Sequence, residues 1–172
     1  METVNIHQLG YRFSEDEFAA LLALNGLSGL TGLTAEADGG HVERGLEALE
    51  AASVLSRTGG ELRLESVTAF LARQIAEATA WVTVRTPGRA LSVRFARRAC
   101  ILLERADGGP WLICPFPDAA AARAPFSRAL KALGPGWDAE VFPAESAGGS
   151  DRDPLDEFDR LDAARFDRRT DV

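Results

Sequence analysis

In residues 81–114, WVTVRTPGRALSVRFARRACILLERADGGPWLIC, four runs rich in β-branched, aromatic and aliphatic residues alternate with turn chemistry. WVTVR (81–85), LSVRF (91–95), ACILLE (99–104) and WLIC (111–114) read as consecutive strands of an antiparallel meander. Thr86-Pro87-Gly88-Arg89 fits a type II turn, with Pro supplying a fixed φ and Gly a positive one. Ala106-Asp107-Gly108-Gly109 is a second hairpin signal, because Asp-Gly tolerates left-handed backbone. The middle link, Ala96-Arg97-Arg98, carries less turn chemistry.

Strand alternation puts Leu91, Val93 and Phe95 on one face of the meander and Ser92 and Arg94 on the other, and it gives Trp81, Thr83 and Arg85 a common face. No acid lies between Glu77 and Glu104, whereas Arg85, Arg89, Arg94, Arg97 and Arg98 crowd into the same stretch. Trp81, Arg85, Arg89, Arg94 and Arg97 therefore form a candidate partner-binding surface, since Arg and Trp often dominate protein interfaces. The alternative is plain solvated surface and turns. On either reading the fold is expected to need Arg85, Arg89 and Arg94 little. Cys100 and Cys114 lie on neighbouring strands; a two-residue loop between those strands puts them on opposite faces, which predicts two reduced, buried thiols. Two separated cysteines make neither a disulfide framework nor a zinc site.

Upstream, TVNIHQ (3–8) alternates as an edge strand, and Phe13-Ser14-Glu15-Asp16-Glu17-Phe18 carries a capping box with its hydrophobic staple. A helix follows, its stripe formed by Phe18, Leu21 and Leu22. Gly26, Gly29 and Gly32 are each followed by Leu, but their spacing matches no phosphate-binding loop and reads as a helix end with anchoring leucines. Residues 41–55 predict a second helix with Val42, Leu46 and Leu49 inward. After Arg57-Thr58-Gly59-Gly60 comes a short strand, ELRL (61–64), and then a third helix with Val67, Phe70, Leu71 and Ile75 inward and Arg73, Gln74 and Glu77 toward solvent.

Downstream, Asp118 caps a helix over 119–133 that Pro125 is expected to kink or divide into two. Phe126, Leu130 and Leu133 face inward, and Gly134-Pro135-Gly136 ends the helix. WDAEVFP closes the ordered body with a strand at 137–142. The expected fold class is α+β: a central antiparallel sheet, made of the meander at about 81–114 and the 137–142 strand, packed with helices. One domain covers 1–144, and 145–172 is an acidic tail that holds 9 of the 26 acids against 5 of the 19 basic residues. In the tail Leu155, Phe158 and Leu161 line one narrow stripe. They make either a docking helix or part of a flexible solubilising extension, and the short length favours the flexible reading.

The composition, 46% hydrophobic and 26% charged over 172 residues, is that of an ordinary globular chain. No apolar run reaches the roughly 18 residues of a membrane helix, and the first residues do not read as a signal peptide, so the expected location is the cytoplasm with no membrane partner. Lys131 is the single lysine among the basic residues, a usage typical of GC-rich bacterial genomes. The net charge of -7 argues against a general nucleic-acid binder. Helix, strand and helix over 41–76 imitate part of a winged module, but Glu43, Glu47 and Glu50 against Arg44 make a poor surface for the major groove. His7 and His41 lack patterned partners, and the spacing shows no catalytic, cofactor or metal motif.

The run FSEDEFAALLALNGL, then GLEALEAASVLSRTGGELRLESVTAFLARQIAEA, then WVTVRTPGRALSVRF and ACILLERADGGPWLICPF, resembles the EspG-like cytosolic chaperones of ESX (type VII) secretion. The resemblance spans about 10–133 and implies an α+β fold with a central antiparallel sheet, no catalysis, and recognition of a helical secretion substrate before export. No family binding residue maps individually onto this chain. The functional expectation is a non-enzymatic adaptor or chaperone that binds another, helical protein; the alternative is a winged-helix-like transcriptional regulator.

Overall fold

The computed structural model describes residues 10–30, 33–34, 38–106, 108–143 and 153–167; the expected strand at 3–8, with His7, lies outside them. The chain runs β1 (Tyr11–Phe13), α1 (Glu15–Leu24), α2 (Gly39–Ala51), β2 (Leu55–Thr58), β3 (Glu61–Leu64), α3 (Ser66–Ala76), β4 (Ala80–Thr86), β5 (Arg89–Phe95), β6 (Cys100–Ala106), β7 (Trp111–Phe116), α4 (Ala119–Leu133), β8 (Asp138–Phe142) and α5 (Pro154–Asp167). The fold is α+β. Its six-stranded sheet has the order β1-β7-β6-β5-β4-β8 and is antiparallel throughout, with the meander at its centre.

Both faces of this sheet carry apolar side chains, so both are covered. Ile101, Leu103, Trp111 and Ile113 pack beneath Phe18, Leu21, Leu22, Leu71 and Ile75 of α1 and α3. From the opposite face Val82, Val93, Phe95, Leu102 and Phe116 meet Ala122 and Phe126 of α4 and Phe158 and Leu161 of α5. Trp111 is fully buried, with its ring 4.9 Å from that of Phe18.

The local signals act where the sequence places them. Ser14 Oγ accepts from the Glu17 amide while Glu17 Oε1 accepts from the Ser14 amide, which closes the capping box of α1. Asp38 and Asp118 cap α2 and α4 by accepting the amides of His41 and Ala121. Gly59 and Gly60 both take positive φ (59° and 83°) at the β2–β3 turn, a backbone that L side chains adopt at a cost. α1 and α2 cross closely: a Cβ on Gly45 would lie 1.9 Å from the Asp16 carbonyl oxygen, so only glycine fits there.

Several expectations are corrected. Helix 41–55 ends at Ala51, and 55–58 pairs with 61–64 as a hairpin. α3 turns Thr68, Leu71, Ala72 and Ile75 inward, leaving Val67 and Phe70 partly in solvent; Gln74 is buried, its Oε1 accepting the Arg98 amide. Gly88 stays out of the left-handed region, so Pro87-Gly88 is not a type II turn, although the Thr86–Arg89 pairing does leave a two-residue loop. α4 runs unbroken through Pro125. Arg105 pairs with Trp111, so an odd connection, 106–110, brings Cys100 and Cys114 to one face instead of opposite ones. They sit diagonally, since Leu102 opposes Cys114 and Phe116 opposes Cys100, and both remain free.

Of the two readings of the tail, the structure shows the docking helix. Residues 154–167 form a helix seated on β4 and α4, with Phe158 and Leu161 buried and Leu155 partly buried, where the short length alone favours the flexible reading. The Phe158 ring lies 5.0 Å from Phe95 and 5.5 Å from Phe126, so tertiary contacts supply what an isolated helix lacks.

Two measurements follow from this packing. Ending the chain at residue 152 removes two fully buried side chains worth about 2 kcal/mol each, and at roughly 2–4 °C per kcal/mol for a chain of this size Tm is expected to fall by about 10 °C; an unchanged Tm would mean that α5 does not hold the body. Burial pushes the Cys100 thiol up to about 12 and the Cys114 thiol up to about 11. Both should therefore resist a thiol reagent at neutral pH and react as two free groups only after denaturation.

Candidate protein-binding surface

The five arginine and tryptophan residues singled out from the sequence do not form one surface. Trp81, Arg85 and Arg94 share the α1–α3 face at the β8 side of the sheet. Register makes this so, because Trp81 opposes Arg94 on β5 and Phe142 on β8. Arg89 serves the opposite face, where its Nη1 donates to the Ala132 carbonyl near the end of α4. Arg97 is exposed in the β5–β6 connection, beside Asp162 and Arg165 of α5.

What remains together is a three-strand stack. Phe142 lies on Trp81 with ring centroids 4.4 Å apart and planes within 16°, and the Arg94 guanidinium lies 4.5 Å from the centre of the Trp81 ring. Phe142 is 47% exposed, Trp81 half-buried and Arg94 only 4% exposed, so the stack runs from the rim of the sheet into its interior. This corrects the expectation that the fold needs Arg94 little: desolvation lowers its pKa to about 10, against the pull of Glu140, and it stays charged at neutral pH. Arg94 Nε and Trp81 Nε1, like Arg105 Nε and Trp111 Nε1, make no hydrogen bond with the described residues; each guanidinium lies over its indole ring, a cation–π contact that leaves the indole N–H itself unpaired among them.

Beside the stack Arg85 Nη2 approaches Glu140 at 3.7 Å and Asp138 at 4.0 Å, so the rim carries both signs of charge. Deeper in, Thr83 and Ser92 share a buried hydroxyl–hydroxyl hydrogen bond of 3.0 Å. Among the described residues β8 pairs only with β4 and is an edge strand, with the exposed ring of Trp137 just before it and that of Phe142 at its end. Sequence alternation finds Trp81 and Arg94; Phe142 was missed because only the cross-strand pairing of β8 with β4 brings it to the indole.

Other clusters are accounted for locally. His41 Nδ1 and Arg44 Nε both reach the Asp16 carboxylate, which fastens the start of α2 to the first turn of α1. A cleft of about 210 Å³ lies between the β5–β7 strands and α4, lined by Arg12, Arg89, Glu104 and Leu133 among others. The β2–β3 hairpin follows α2 as a wing would, but its Arg57 is paired with Glu50 of α2 at 2.7 Å. Among the described residues no group of three or more His, Cys, Asp and Glu is arranged to hold a metal ion, and no helix is long and apolar enough to cross a membrane.

No protein-family model matches the chain, and no curated protein sequence matches it.

The hydrogen bond to Asp16 raises the His41 pKa above its ordinary 6.5, and the bonds from His41 and then Arg44 lower that of Asp16 below 3.8. His41 holds its proton more tightly folded than unfolded, so its contribution to stability is complete below pH 6.5 and is lost as pH rises through its folded-state value. Asp16 contributes above pH 3.8 and loses that contribution as pH falls through its own lowered value. In an NMR titration Asp16→Asn should bring the His41 midpoint down toward 6.5; a midpoint that does not move would remove the ion pair as its cause.

Proposed function

We propose that the protein is a non-enzymatic cytoplasmic adaptor or chaperone that holds a helical segment of another protein against the β4–β8 rim. The observation that carries this reading is the Phe142–Trp81–Arg94 stack, in which a nearly half-exposed ring rests on an indole backed by a buried guanidinium. A pre-stacked aromatic pair loses little freedom when a partner covers it, and its cation is already desolvated. The mixed charges of Arg85, Asp138 and Glu140 extend the rim as the polar border that protein interfaces usually have. The resemblance to type VII secretion chaperones supplies the partner class, a helical secretion substrate held before export.

Phe142→Ser tests it. The ring is largely outside the core, so Tm should change by only a few degrees. Affinity for the partner recovered by co-purification should fall by about 30-fold, the equivalent of roughly 2 kcal/mol at an interface centre. Unchanged affinity in a folded variant would overturn the assignment of the rim, and a protein pair lacking helix would overturn the partner class.

A further inference from the structure

On the other face of the sheet, α5 occupies a seat with the form of a helix-binding groove. Leu155, Phe158 and Leu161 project at i, i+3 and i+6, the spacing of one narrow helical stripe. Phe158 wedges between Phe95 of β5 and Phe126 of α4. Around this apolar line the fastenings are polar and at the margin: Arg123 of α4 grips Asp159 with two bonds of 2.8 Å, both side chains about half exposed, and Arg165 Nη2 donates to the Ala96 carbonyl at 2.6 Å.

Two features mark the occupant as replaceable. The first is the connecting sequence, PAESAGGSDRD over 143–153, which contains no large apolar side chain. The second is polarity at the edge of the seat: a surface notch of about 80 Å³ opens between Asp162 and Arg165 on the helix and Arg97, Ala99 and Asp118–Ala119 below.

We propose that this groove is a receptor for an acidic amphipathic helix of a partner protein and that α5 is its resident, displaceable occupant. The groove selects an apolar residue, an aromatic residue three positions later followed at once by an acid for Arg123, a second apolar residue at the sixth position, and a long polar side chain at the seventh to fill the notch. The proposal rests on the protein-binding reading above and adds a second surface to it. Tethering gives α5 a high effective concentration, so an incoming helix enters only when it binds more tightly than α5 does or when α5 is weakened.

The test uses the full chain and a fluorescent peptide of residues 153–167, and needs neither the rim nor the natural partner. In wild-type protein, hydrogen exchange should show the α5 amides opening at least 100-fold more readily than those of β5 and β6. The peptide should bind a Phe158→Ala chain at least tenfold more tightly than wild type, adding Arg123→Ser should weaken that binding several-fold, and a peptide carrying Asp162→Gln should bind at least as tightly as the native one. Exchange of α5 only with global unfolding, or failure of a folded Phe158→Ala chain to take up the peptide, would overturn the proposal and make α5 a fixed part of the core. Should Phe158→Ala not fold, the wild-type exchange alone decides. Loss of the groove leaves the rim reading standing, and loss of the rim leaves the groove.

Discussion

Strand β6 has no solvent side over Cys100–Leu103: Cys100 and Leu102 are buried toward one face and Ile101 and Leu103 toward the other. A strand apolar on both faces is stable only between two layers, and each buried aliphatic or aromatic side chain contributes about 1.5–3 kcal/mol toward forming them. The helices of this chain answer that demand. α1 and α3 close one side and α4 and α5 the other, and the arginine Arg105 ties the layers at the margin, reaching Glu15 of α1 at 3.1 Å while lying 5.5 Å from the Trp111 ring.

What the sequence made legible was local. Ser14 with Glu17 and Asp118 ahead of the 119–133 run each express their rule within a few residues, and tertiary structure has no reason to override them; the two meander hairpins form where Pro-Gly and Asp-Gly stand, but with turns other than those the dipeptides favour. α3 was read a partial turn wrong because its apolar positions fit two faces. The face chosen, with Thr68 and Ala72 beside Leu71 and Ile75, presents the smaller residues to the core and leaves Phe70 out. The cysteines were misplaced by the parity of a loop, which strand alternation cannot supply.

The candidate surface shows the same division. Alternation correctly gives Trp81, Arg85 and Arg94 one face, yet it cannot say which part of a face is covered. That depends on which elements from distant sequence pack above it. Arg94 thus moves from exposed surface to buried charge, and Phe142 joins from a strand nearly fifty residues away. The Leu155, Phe158 and Leu161 stripe was visible, but the aromatic pair that receives it, Phe95 and Phe126, comes from two elements whose nearness no periodicity encodes. Propensity alone therefore pointed to the unstructured alternative.

The order of the chain gives the α5 seat a history. Its walls come from residues 80–130, which leave the ribosome before residues 154–167 exist outside it, at a pace of about 5–20 residues per second. For that interval Phe95 and Phe126 lack the Phe158 ring that packs on them in the finished fold. α5 arrives as the molecule's own late shield. Until then the seat is open to a neighbouring helix, and once α5 stands tethered beside it that opening closes.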